Sequence, residues 1–182
     1  MKKVLGLFAL LAFSGLPAMA QYNSPVAEVG GGYTFRSFGF GSPNINMNGW
    51  NATAQFNVTP WVSAAGDFDG TYSNQGSGGN GWLETYLFGP RIYPLGHHKI
   101  APFAHALFGG SHISINIPPS GGGPFTVSDT GFAWEVGGGL DVGVSGHFAV
   151  RLGEFDYEQT RFFGGNPNQS NYKFKAGILF RF

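Results

Sequence analysis

Large apolar side chains recur at every second position over most of this chain. In NYKFKAGILFRF, Tyr172, Phe174, Ala176, Ile178, Phe180 and Phe182 share one parity, and Asn171, Lys173, Lys175, Gly177, Leu179 and Arg181 the other. Side chains of a strand alternate between its two faces, so this pattern predicts a strand with one greasy and one polar or small face. The same device reads in AEVGGGYTFR (Ala27–Arg36), GWNATAQFNV (Gly49–Val58), WVSAAGDFDG (Trp61–Gly70), ETYLFGPRIY (Glu84–Tyr93) and FAWEVGGGLDV (Phe132–Val142). FAVRLGEFDYE (Phe148–Glu158) needs a one-residue bulge near Gly153 to keep Glu154 and Asp156 off the greasy face. PFAHALFGGSHISI (Pro102–Ile115) is a strand whose facing stays open, because Ala104, Ala106 and Phe108 compete with Phe103, His105 and Leu107. Eight strands are predicted.

The connections add a second signal. They alternate long and short, the long ones being Ser37–Met47, Asn74–Asn80, Asn116–Thr130 and Gln159–Asn171, which suits a barrel with long outer loops and short periplasmic turns. With four long and three short connections, both chain ends fall on the short-turn side. Pro90 lacks a ladder donor and predicts a bulge or a locally weak pairing.

Composition decides which way the greasy face points. Only 11% of the residues are charged, against roughly 25% in an ordinary globular chain, yet the mean hydropathy is −0.03. No apolar run after the N-terminus approaches the ~18 residues a spanning helix needs. A sheet survives in hydrocarbon only if it closes on itself and leaves no unpaired edge. The expected fold is therefore all-β, an eight-stranded antiparallel up-and-down transmembrane β-barrel with its greasy face in lipid. Its inside, just wide enough to be filled by side chains, takes the other parity. That set holds the candidate charge network Glu28, Arg36, Asp67, Arg91, Glu135, Asp141, Arg151 and Lys175, joined by Asp69 and Lys173. Trp50, Trp61, Tyr86, Trp134 and Tyr157 are candidates for the interfacial aromatic girdles.

The N-terminus carries Lys2-Lys3, an apolar stretch from Val4 to Phe13, and Ala18-Met19-Ala20, the three parts of a secretory signal peptide. Residues 1–20 are read as the leader and 21–182 as the barrel domain. A net charge of zero speaks against a nucleic-acid binder, which would show a basic face, and the absence of cysteine excludes disulfides and thiolate metal sites.

With the leader, the alternating strands and the terminal Phe180 and Phe182, stretches such as YLFGPRIY, PFAHALFGG, GGGLDV and FKAGILFRF resemble the small OmpA/OmpX-type outer-membrane barrels. The resemblance implies a monomer in the cell outer membrane, with lipid as its surroundings. It also implies that Phe182 is the label read by the outer-membrane insertion machinery. The chain stops with the barrel, so no peptidoglycan-binding domain is expected.

Candidate chemistry is sparse. His97-His98 lies in a polar turn, where adjacent side chains diverge and lack further ligands, so a solvated turn is expected rather than a metal site. His112-Ile113-Ser114 has the His-x-Ser spacing of barrel-borne lipid A deacylases, with Asp129 or Glu135 needed as the acid. The expected function is non-enzymatic, structural or loop-presenting, with no catalytic residue, metal or cofactor. The alternatives are a lipid A-modifying hydrolase using His112 and Ser114, and a soluble secreted lipocalin-like barrel. The last must turn the greasy face inward.

Overall fold

The computed structural model describes residues 25–39, 45–74, 80–117, 125–162 and 169–182. The proposed leader lies outside them, as do the outer parts of the four connections expected to be long.

Eight strands follow the alternating stretches: β1 (Ala27–Phe38), β2 (Ile45–Asn57), β3 (Val62–Asn74), β4 (Asn80–Ile92), β5 (Ile100–Ile117), β6 (Phe125–Gly143), β7 (Phe148–Arg161) and β8 (Gln169–Arg181). Each pairs antiparallel with its sequence neighbour, and β8 closes on β1 to complete a barrel. The seam runs from Glu28↔Arg181 to Phe38↔Asn171, and Phe182 N extends it by donating to the Ala27 carbonyl at 2.9 Å. Strands meet tightly at this seam. A Cβ on Gly32 would stand 1.9 Å from the Ala176 carbonyl oxygen, so only glycine lets the two backbones approach this closely.

The open facing of β5 is resolved by the barrel. Phe103, His105 and Leu107 are buried inside, while Ala104 and Phe108 are exposed on the outer wall. The bulge expected near Gly153 is present: the β6–β7 register runs Leu140↔Gly153 and then Asp141↔Arg151, leaving Leu152 as the extra residue. Leu152 is 58% exposed, and beyond it Glu154 and Asp156 turn inward. At Pro90 the register holds, with Phe88↔Phe108 and Arg91↔His105, but Gly89 and Pro90 have no partners on β5. The pairing is interrupted without a bulge.

The strands run further than the alternation alone indicated. β1 continues to Phe38, β2 starts at Ile45, β5 and β6 pair up to Ile117↔Phe125, and β7 reaches Arg161. Part of each stretch assigned to a long loop is ladder. The reason lies on the inside, where Phe38, Met47, Leu83, Ile113 and Phe162 pack into a buried cluster with Ile45 and Ile115 against it.

That cluster marks a reversal of both faces. On β2 the outward series is Phe56, Ala54, Ala52 and Trp50, then Asn48 and Asn46; on β6 it is Leu140, Gly138, Val136, Trp134 and Phe132, then Thr130, Ser128 and Thr126. Towards the loop end the outer wall becomes polar at the same level at which the interior becomes apolar. Below the level the wall suits lipid, and above it suits water. Trp50, Tyr86, Trp134 and Tyr157 stand on the outward parity near this boundary, and Trp61 sits in the β2–β3 turn at the opposite end.

Candidate functional site

The barrel interior holds the densest chemistry, and alternation puts it there. Glu28, Asp67, Asp69, Glu135, Asp141, Glu154, Asp156 and Glu158 are all buried, against the permanent cations Arg36, Arg91, Arg151, Lys173, Lys175 and Arg181. Isolated buried charges are prohibitive, so the arrangement depends on pairing.

Nearest the loop end, Arg36 pairs with Asp69 and stands 3.4 Å from Glu158. Lys173 lies 2.8 Å from both Asp69 and Glu158 and also meets Glu135. Thr85 Oγ1 donates to Asp69 at 2.5 Å. At mid-height, Lys175 Nζ reaches Glu154 and Asp156 at 3.0 Å, Glu135 at 3.1 Å and Asp67 at 3.5 Å. Arg91 pairs with Asp67 at 3.0 Å and donates to Gln55 Oε1 at 2.8 Å. Towards the turn end, Arg151 donates to Asp141 at 2.8 Å and to Glu154 at 2.6 Å. The Phe103 ring meets two guanidiniums, 4.8 Å from that of Arg91 and 4.4 Å from that of Arg151. Several of these pairs span the lumen, joining β8 or β1 to β3.

Seven of the eight network residues named from the sequence meet in this mesh. Glu28 stands apart at the turn end, 3.5 Å from Arg181 and 3.6 Å from His97, with neither carboxylate oxygen hydrogen-bonded. Sequence reasoning left His105 and Glu158 out of the network, and did not name Glu154 and Asp156 in it although the expected bulge already turned them from the greasy face. His105 was hidden by the ambiguous parity of β5; its Nε2 lies 3.2 Å from Glu135 and 3.3 Å from Asp156. The three acids follow a bulge, and counting every second residue onward from Glu154 is the signal that finds them.

His105, Glu135, Glu154 and Asp156 offer ligand atoms within 4.8 Å of one another, the geometry of a cation site. The Lys175 ammonium already stands among its three carboxylates, so a metal ion would have to displace it.

The turn carrying His97 is not simply solvated. Its ring packs 3.9 Å from that of Tyr93, and Nδ1 lies 3.1 Å from the Pro60 carbonyl oxygen, while His98 is exposed. Burial holds the His97 imidazole below its ordinary value, although the bond to Pro60 works the other way.

Among the described residues, no hydrogen bond or ion pair joins His112 or Ser114 to an acid, although Glu84 stands opposite His112 in the β4–β5 register. His112 Nδ1 lies 2.7 Å from Thr130 Oγ1, with its ring against Trp82 on the outward side. Glu135 is committed to the lumen lysines and His105, and Asp129 shares its inward parity on β6. The facing is also the reverse of what a lipocalin-like pocket requires.

A model of the outer membrane protein beta-barrel domain matches residues 6–182. The chain belongs to this family. The outer membrane barrel resembles three solved structures over nearly their whole length. Ail, the attachment invasion locus protein of Yersinia pestis, matches with a TM-score of 0.65 at 16% identity, covering 87% of this chain and 99% of that one. Neisserial surface protein A matches with a TM-score of 0.69 at 12% identity, covering 86% and 97%. The N-terminal barrel domain of Pseudomonas aeruginosa OprF matches with a TM-score of 0.54 at 12% identity, covering 87% and 98%. No curated protein matches the chain. At these identities the likeness is one of fold, and the family places the barrel in the outer membrane.

Proposed function

We propose that this protein is a closed, non-enzymatic outer-membrane barrel, structural or presenting its surface loops, rather than a pore. The observation that supports the reading is the filling of the interior. The apolar cluster of Phe38, Met47, Leu83, Ile113 and Phe162 caps the loop end, the ion-pair mesh fills the middle, and Tyr93, Ala101 and Phe103 pack at the turn end. Leu87, Leu107, Ala65 and Ala133 cover the β3–β6 wall beside the mesh. An ion entering would have to pass apolar side chains and then break cross-lumen pairs.

Planar-bilayer recording tests this. The folded barrel should add no unitary conductance, and an epitope inserted within residues 118–124 should be reached by antibody on intact cells. Steady channel-like steps, or an epitope shielded until the outer membrane is broken, would overturn the reading.

A further inference from the structure

At the turn end, the side facing the periplasm in the reading above, a cavity of about 660 Å³ opens beside the last residues of β8. Three of the chain's five histidines, His97, His98 and His147, line it with Lys99 and Arg181. Arg181 is only 7% exposed, its Nε stands 3.5 Å from Glu28, and its Nη2 is buried without a hydrogen-bond acceptor. The connections at this end, residues 58–61, 93–99 and 144–147, contain no Asp or Glu. Among the described residues, Glu28 lies beneath the cavity, shared between Arg181 and His97, and the more deeply buried Asp141 also acts on His97.

Lys99 and Arg181 repel a metal ion, and His97 has one ring nitrogen turned to the Pro60 carbonyl. Two permanent cations, further N–H donors and an unanswered guanidinium nitrogen instead suit an oxyanion, which accepts several charge-assisted hydrogen bonds at once. The rim is greasy: Phe182 is 63% exposed and Val144 69% exposed, and Phe148 follows on the lipid-facing wall. A site with cationic walls and an apolar lip lies where phospholipid headgroups stand. We propose that this cavity binds a phosphate-type oxyanion, and that the source its lip favours is the headgroup phosphate of a phospholipid in the inner leaflet.

The folded full barrel in dodecyl maltoside micelles, which contain no phosphate, provides the test. Inorganic phosphate and short-chain phosphatidylglycerol are titrated separately, with NMR of the amides and imidazoles of residues 97–99 and 143–147 as the readout. The comparison protein is the double variant Lys99→Gln/His147→Gln, changed at two exposed turn positions; Arg181 is kept because it also closes β8 on β1. Saturable shifts confined to these turns are expected in the wild type, with affinity lowered about tenfold or more in the variant. Saturation by phosphatidylglycerol alone assigns the lipid headgroup, and equal saturation by both probes assigns the phosphate group whatever carries it. Shifts that grow without saturating for both probes, or equal affinity in variant and wild type, would overturn the proposal.

Discussion

Arg91 shows what a single interior side chain does in this barrel. It neutralises Asp67, donates to Gln55 and faces the Phe103 ring. Arg91→Met keeps most of the volume but leaves the buried Asp67 with one fewer cation. Breaking one side of a buried pair costs about 3–5 kcal/mol. Urea unfolding in detergent should register that loss, and an unchanged midpoint would mean that the pair contributes nothing. His97 offers a pH test at the same scale. Burial disfavours its charged form, so as pH falls below the ordinary 6.5 the unfolded chain takes up a proton more readily than the folded turn does. Stability present above that value is lost on acidification. His97→Gln should therefore show a shallower fall in unfolding midpoint than wild type between about pH 7 and about pH 5. Parallel curves would assign the acid sensitivity to other groups.

Single strands carry the reversal of faces, and β6 carries it most visibly. Val136 lies mid-wall in the greasy series and Ser128 above the boundary. Val136→Arg should cost about 2–4 kcal/mol, the depth-dependent penalty for an arginine near the midplane, whereas Ser128→Arg should cost about 0–1 kcal/mol. Equal penalties in vesicles would place the water boundary elsewhere. The strands also show why some of the architecture was legible in the sequence and some was not. Parity is local, so β1, β2, β3, β4, β6, β8 and the start of β7 could be read from their own residues, and the eight network residues follow from them. Strand ends are not local. Phe38, Met47 and Phe162 sit among Gly, Asn and Pro that read as loop, and they join the ladder because Leu83 and Ile113 on distant strands pack against them. His105 was illegible for a related reason: both parities of β5 carry apolar groups, and the acids it meets lie on other strands, Glu135 on β6 and Asp156 on β7.

At the scale of the whole molecule, the terminal aromatic tests how the barrel is delivered to its membrane. Phe182 lies on the greasy parity beside Phe180, ring centroids 4.7 Å apart, and hydrogen-bonds to β1. As one more interfacial side chain it would contribute about 0–1 kcal/mol. We propose that it also serves the insertion machinery. Deleting it should then sharply reduce outer-membrane assembly in cells while leaving refolding into micelles nearly normal. Mild and equal effects in both assays would reduce Phe182 to a girdle residue.

The cross-lumen pairs have a consequence for the order of events in assembly. Lys173, Lys175 and Arg181, half of the permanent interior cations, all belong to the last strand. Until β8 docks, Asp69, Glu135, Glu154 and Asp156 face one another with too few partners, and the unfinished sheet has reason to stay open and wet. The arrival of the final strand brings the countercharge in one step, so that sealing the seam and drying the interior are a single event. A chain stalled one strand short would thus be left uncured, its acids still holding water, rather than nearly finished.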